Sequence, residues 1–420
     1  MIKNLGEKYS PLYFLAALGF GGMSVFFFMV FMHITPHPGQ IMPSYETIRD
    51  AYVTGSAFIR TAIVVGYIGM SLMLLIHFAL LFWNLRELKI YRGTKAYQAL
   101  RSSNAEVTMM AIPLTLGMSI NGLFVAAMAM IPGLSTILPA LMPVALLAYG
   151  SVGVLAIYFM TIYLRRVIAA GFDFKANGGM NQLLAAFSFA MVAVGFAAPA
   201  AMSTETWIVL VGLLGSLFFG IISVLLLSIF MPIGALSMMR YGLSMQNSAT
   251  LWLPVPMMTL LAITFLRDRH GLQTLADLGP AGAQEHASTS VYVMAILGAV
   301  IMSQLAFLGL GHMVMRRNGF YREFVFGRET ASPAAFTLVC PGVALSVLSM
   351  FFLKVGLVNN GLIEAFSAAY YLYLAVVAVV ALMTLGLAVT LFRNQLSGVS
   401  AFARAQREQA AAPAEASVKA

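Results

Sequence analysis

The run 206–231, TWIVLVGLLGSLFFGIISVLLLSIFM, carries twenty-six residues without a single charge. A bilayer core of roughly 30 Å takes about 20 helical residues to cross and offers no partner to an unpaired backbone amide, so this run reads as a membrane-spanning helix. Nine further apolar stretches qualify, at 11–33, 57–85, 106–131, 136–164, 181–202, 248–266, 290–315, 333–358 and 363–392. The expected fold class is therefore all-α, a polytopic membrane protein of ten transmembrane helices. Composition agrees: 60% of the 420 residues are apolar and 9% charged, against about 25% charged in soluble globular chains. The first stretch follows Lys3 and Lys8 as a signal peptide would, but its length and the lack of a small-residue cleavage site make it a retained first helix.

The net charge of +9 raises nucleic acid as a partner. The distribution of the charge removes it. The N-terminus, alternate loops and the C-terminal tail hold 19 of the 24 lysines and arginines, including the groups Arg86 to Arg101, Arg165 to Lys175 and Arg316 to Arg328. The opposite loops and their helix ends hold Arg49, Arg60, Arg267, Arg269 and Lys354. Short basic loops stay cytoplasmic, so both termini are expected in the cytoplasm and the protein in a cell inner (plasma) membrane, in contact with lipid and not with nucleic acid. The expected organisation is a cytoplasmic N-terminus (1–10), an integral membrane domain (11–392) and a largely disordered cytoplasmic tail (393–420). The outer loops 33–56 and 267–289 are long enough for some structure; those after the third, fifth and ninth helices read as tight hairpin connections.

Proline and clustered glycine free backbone groups that neighbouring protein or water must satisfy. Pro113, Pro254, Pro256 and Pro341 lie six to eight residues inside helices three, seven and nine, and Gly19, Gly21 and Gly22 lie at similar depth in helix one. Helix five carries Gly195 and Pro199 nearer its far end. Helices two, eight and ten contain no proline. The pattern predicts five hairpins, with kinked odd helices inside and even helices outside, although small residues also serve ordinary close packing. Polar residues beside the breaks add to a candidate path lined by Gly19, Gly22, Ser24, Pro113, Thr115, Ser119, Gly195, Pro199, Pro256, Thr259, Phe336, Thr337, Cys340 and Pro341.

Helix N-termini exposed at such breaks favour an anion. The ten stretches hold no mid-depth aspartate or glutamate, which counts against ion-coupled transport, and no buried lysine or arginine, which points to weak sites and passage. His77 and His312 read as hydrogen-bonded packing residues, with a haem or proton site as the alternative for His77. No cofactor and no metal is expected, and the 29 methionines read as core filler. Cys340, the single cysteine, excludes an intrachain disulfide. It is either an inert small hydrophobe or a thiol facing the path.

In helix nine the segment AAFTLVCP, Ala334 to Pro341, together with the ten-helix organisation, resembles the superfamily of tellurite-resistance and dicarboxylate carriers and plant slow-type anion channels. That resemblance implies five hairpins, a pore of kinked inner helices closed by a phenylalanine, and a homotrimer. Aligned on Pro341, the plugging phenylalanine falls on Cys340, with Phe336 one turn away. The same segment resembles TsoY-type membrane (seleno)proteins, in which selenocysteine or cysteine occupies such a position; this implies a reactive Cys340. The resulting expectation is a channel or facilitator for a small anion and not an enzyme. The alternative is a membrane-embedded thiol redox protein that acts on sulfur or selenium species through Cys340.

Overall fold

Ten helices are long and apolar enough to cross a membrane. They are α1 (Pro11–Ile34), α2 (Ala57–Tyr91), α3 (Asn104–Met130), α4 (Leu134–Ala170) and α5 (Leu183–Met202), followed by α6 (Thr206–Tyr241), α7 (Met245–Asp277), α8 (Ser290–Arg317), α9 (Pro333–Val358) and α10 (Ala368–Leu396). The computed structural model describes residues 1–278 and 289–397, and among these there is no strand. Most of the expected tail, from residue 398, and part of the outer loop, 279–288, lie outside the described residues.

Several helices outrun the stretches read from hydropathy. α6 continues to Tyr241 and α7 to Asp277, because hydropathy marks only the portion that hydrocarbon must cover while the helical hydrogen-bond ladder continues past it. The expected loop 267–289 thus begins as helix. The loop after α9 is longer than expected, at 359–367. The other long loop holds a short helix, Tyr45–Thr54, whose N-cap Ser44 donates its backbone N–H to Thr47 Oγ1 at 2.9 Å.

The expected mid-helix breaks take a different form. α1, α3, α7 and α9 each begin as a 3-10 helix, at Pro11–Tyr13, Asn104–Met110, Met245–Trp252 and Pro333–Leu338, and then widen into α-helix. α5 departs, starting with three i→i+3 bonds from Leu183, Leu184 and Ala185. Pro113, Pro254, Pro256 and Pro341 all fall within the first three residues of the α-helical part. There the N–H has no i−4 acceptor to lose, so proline interrupts nothing. Prolines inside an α-helical run are Pro139, Pro143, Pro199 and Pro232, three of them on even-numbered helices. Glycine in α1 serves approach: a Cβ on Gly19 would come within 2.7 Å of Val339 on α9, and α1 stays helical through Phe14–Ile34.

Burial alternates along the chain. In the most apolar window of each helix, 61 to 94% of the residues are buried for α1, α3, α5, α7 and α9, against 17 to 39% for the other five. α1 packs on α3, α3 on α5, α5 on α7, α7 on α9 and α9 back on α1. The N-terminal segment is tied to the bundle: Glu87, fully buried, accepts the N–H groups of Asn4 at 3.0 Å and Leu5 at 2.8 Å. Ile2 N–H donates to Leu396 O at 3.1 Å, so the first and last described segments meet at one end of the bundle.

Candidate functional site

A cavity of about 120 Å³ lies where the five odd-numbered helices meet. Each helix supplies a face with helical spacing: Leu18, Gly22 and Val25 from α1; Met118, Asn121 and Val125 from α3; Phe187, Met191 and Val194 from α5; Pro256, Leu260, Ile263 and Arg267 from α7; Cys340, Val343 and Val347 from α9. Steps of three and four residues keep one side of a helix turned to a common axis.

The polar groups on this wall are few and mostly engaged. Thr259 Oγ1 donates to Ala344 O at 3.0 Å and accepts from Gln304 Nε2 at 2.7 Å. Asn121 accepts from Tyr149 Oη at 2.6 Å, and its Nδ2 lies 3.3 Å from Met191 Sδ. Arg267 differs. Its Nη1 donates to Val194 O at 3.2 Å, and among the described residues no carboxylate lies within ion-pair distance of the guanidinium. Among the described residues the lining contains no aspartate or glutamate. Arg267 therefore keeps unfilled donors beside a small, largely apolar space, the setting in which an anion accepts charge-assisted hydrogen bonds.

Arg267, half-buried, borders the cavity from the later turns of α7, at a position that the sequence reading left in a loop. Its signal is the face Pro256, Leu260, Ile263, which reaches residue 267 after one more turn. A hydropathy window that ends at Leu266 assigns it to a loop. Its neighbour Asp268 is 7% exposed and accepts from Ser216 Oγ on α6 at 2.6 Å, so a carboxylate is buried in α7 after all.

Of the residues expected to share a path, Gly19, Gly22, Pro256, Thr259 and Cys340 border the cavity. The others do not. Ser24 is fully buried with no hydrogen-bond partner for its hydroxyl. Thr115 donates to Ala111 O at 2.8 Å and reaches Phe14 O at 3.1 Å, tying α3 to α1. Ser119 lies 2.8 Å from His77 Nε2, whose Nδ1 donates to Ala17 O at 2.7 Å. His77 thus bridges α2 to α1 and α3. Gly195 faces the ring of Tyr149 on α4, which occupies the space a Cβ would need. Phe336 is fully buried against Tyr13, with ring centroids 6.2 Å apart. Pro113, Pro199, Thr337 and Pro341 are buried away from the cavity wall. Hydropathy could not sort these residues because the odd-numbered helices are apolar and buried over most of their surface, and only some of their residues border the cavity.

A second recess, of about 640 Å³, gathers residues at or just before the start of the same five helices, among them Leu12, Asn104, Gln182, Asn247 and Pro333. On α9, Ala334 borders this recess and Cys340 the cavity, a gap on the order of 10 Å at helical rises of 1.5 to 2.0 Å per residue. Among the described residues no group of three histidine, cysteine, aspartate or glutamate side chains is placed to hold a metal ion. The chain matches no family model, no curated protein and no solved structure.

Proposed function

We propose that the protein is an inner-membrane channel or facilitator for a small anion, with α1, α3, α5, α7 and α9 as an inner ring and the even-numbered helices as an outer, lipid-facing layer of five hairpins. The observation that carries this reading is Arg267, whose guanidinium makes no ion pair among the described residues and lies on the wall of a cavity to which all five odd helices contribute. The absence of carboxylates from that wall among the described residues and the polar recess at the same helices' N-terminal ends support it. The excess of lysine and arginine on the side of the termini supports a cytoplasmic placement of both. A homotrimer is part of the proposal through the resemblance alone.

The chemistry is that of a selective constriction. A guanidinium replaces part of an anion's hydration shell, and apolar walls keep the site weak enough to release it. The test is flux of nitrate and chloride into proteoliposomes. Flux that falls at least tenfold in Arg267→Gln is expected. Absence of any anion flux in the wild-type protein under every applied potential overturns the proposal.

The redox reading has less to stand on. Cys340 borders the cavity, but among the described residues no side chain lies in hydrogen-bond distance of its thiol, and a nucleophilic thiolate needs a cation or base beside it.

A further inference from the structure

We infer that Asp268 is a proton-binding site whose occupancy sets the charge that Arg267 presents to an anion in the cavity. The inference rests on the reading of Arg267 as the anion's partner. Consecutive residues on a helix point about 100° apart, and here they face different spaces. Arg267 borders the central cavity, whereas Asp268 borders a recess of about 670 Å³ between α6, α7 and α8. The recess also holds Arg269, Gln273, Thr289 just before α8 and, from α8, Tyr292. Asp268 therefore has its own route to protons while its neighbour meets the anion.

The hydrogen bond between Asp268 and Ser216 can be kept in either protonation state. Ser216 Oγ lies 2.6 Å from Asp268 Oδ1 and 3.0 Å from Leu213 O. Its hydroxyl has one proton to give. With Asp268 ionised, Ser216 donates to the carboxylate. With Asp268 protonated, the carboxyl O–H donates to Ser216, which turns its own proton to Leu213 O. The proton comes from bulk water through the recess, and no bond other than O–H is made or broken. No hydrogen bond is stranded in the switch, which is what a buried group must satisfy to titrate without unfolding its surroundings.

The charged and titratable groups around Asp268 are Arg267, Arg269 and His270 on α7 and Tyr292 on α8, while α6 contributes the neutral Ser216. Among the described residues none makes an ion pair with it. Ionised, Asp268 offsets the charge of Arg267. Protonated, it leaves the guanidinium unbalanced, so the anion binds more tightly. By reciprocity the bound anion raises the affinity of Asp268 for the proton by the same factor.

The test is nitrate binding to the purified full-length protein by calorimetry at pH 5.5 and pH 8, in buffers of differing ionisation enthalpy. Affinity at least about fivefold tighter at the lower pH is expected, in line with typical coupling between sites, with proton uptake on binding. Asp268→Asn, whose amide donates to Ser216 as the protonated acid does, should bind with the low-pH affinity at both values and take up no proton. Ser216→Ala removes the donor that favours the carboxylate and should move the midpoint of the pH dependence upward, a second readout if Asp268→Asn does not fold. Equal affinity at both pH values in the wild type, or a pH dependence that survives Asp268→Asn, overturns the proton site and leaves the anion reading intact. No nitrate binding at either pH overturns both.

Discussion

Arg267 on α7 donates from Nη1 to the backbone carbonyl of Val194 on α5 at 3.2 Å, and this single bond fixes the guanidinium at the wall of the cavity. That donor is spent on position. Arg267→Lys keeps the charge and loses the planar fork, so it should retain anion flux at a level between the wild type and Arg267→Gln. The check is nitrate flux for the three proteins side by side; equal rates for Lys and Gln would mean that charge is not what matters.

Gly195 on α5 sits against the ring of Tyr149 on α4, where a Cβ has no room. Tyr149 in turn holds Asn121 of the cavity wall through its hydroxyl. Gly195→Ala should therefore displace the ring and destabilise the protein by about 1–3 kcal/mol, the usual cost of overpacking. Thermal unfolding in detergent reads the first effect. Anion flux lowered alongside it would show that the displaced ring reaches the wall through Asn121.

Glu87 fastens the N-terminal segment by accepting from Asn4 and Leu5. Glu87→Ala removes two charge-assisted bonds of about 1.5–3 kcal/mol each at most. The segment should then open to protease at Lys3 and Lys8 while the membrane core stays resistant. Mass spectrometry of the digest reads the difference, and an N-terminus as protected as in the wild type would count against the tie.

Glu46, outside the spans, accepts from Gly133 N–H at 2.6 Å and from Ser135 Oγ at 3.3 Å, pinning the short helix Tyr45–Thr54 to the turn between α3 and α4. The Gly133 N–H, first among its neighbours, holds the carboxyl below the usual range. A carboxyl whose folded value is depressed contributes stability above its unfolded value, near 4.3, and loses it as pH falls through the folded value. Amide exchange at residues 133–135, corrected for intrinsic rates, should rise as pH drops below about 4. Glu46→Gln should exchange at one corrected rate throughout, and a pH dependence that persists in it would assign the effect elsewhere.

Cys340 is 8% exposed and borders the cavity. A small anionic methanethiosulfonate should label it and block nitrate flux, whereas Cys340→Ser should conduct within a few-fold of the wild type. Loss of all flux in the serine variant would favour thiol chemistry over permeation.

Ten helices long and apolar enough to cross a membrane were legible in the sequence alone, because the cost of an unpaired amide in hydrocarbon depends on composition and length. The clustering of Pro113, Pro254, Pro256 and Pro341 at one depth was legible too, but not its meaning. Proline marks a break in mid-helix and the first turn of an α-helix equally well, and only the 3-10 geometry of the preceding residues distinguishes them. Which faces meet was decided by tertiary structure. Thr115 and Ser119 read like Thr259, yet they bond to α1 and His77, because a largely apolar helix has no polar face in its sequence to mark the side that borders the cavity. Arg267 and Asp268 were lost to a loop for the opposite reason: a charge ends a hydropathy window, while a helix carries it one turn further into a site where neighbouring helices supply Val194 and Ser216.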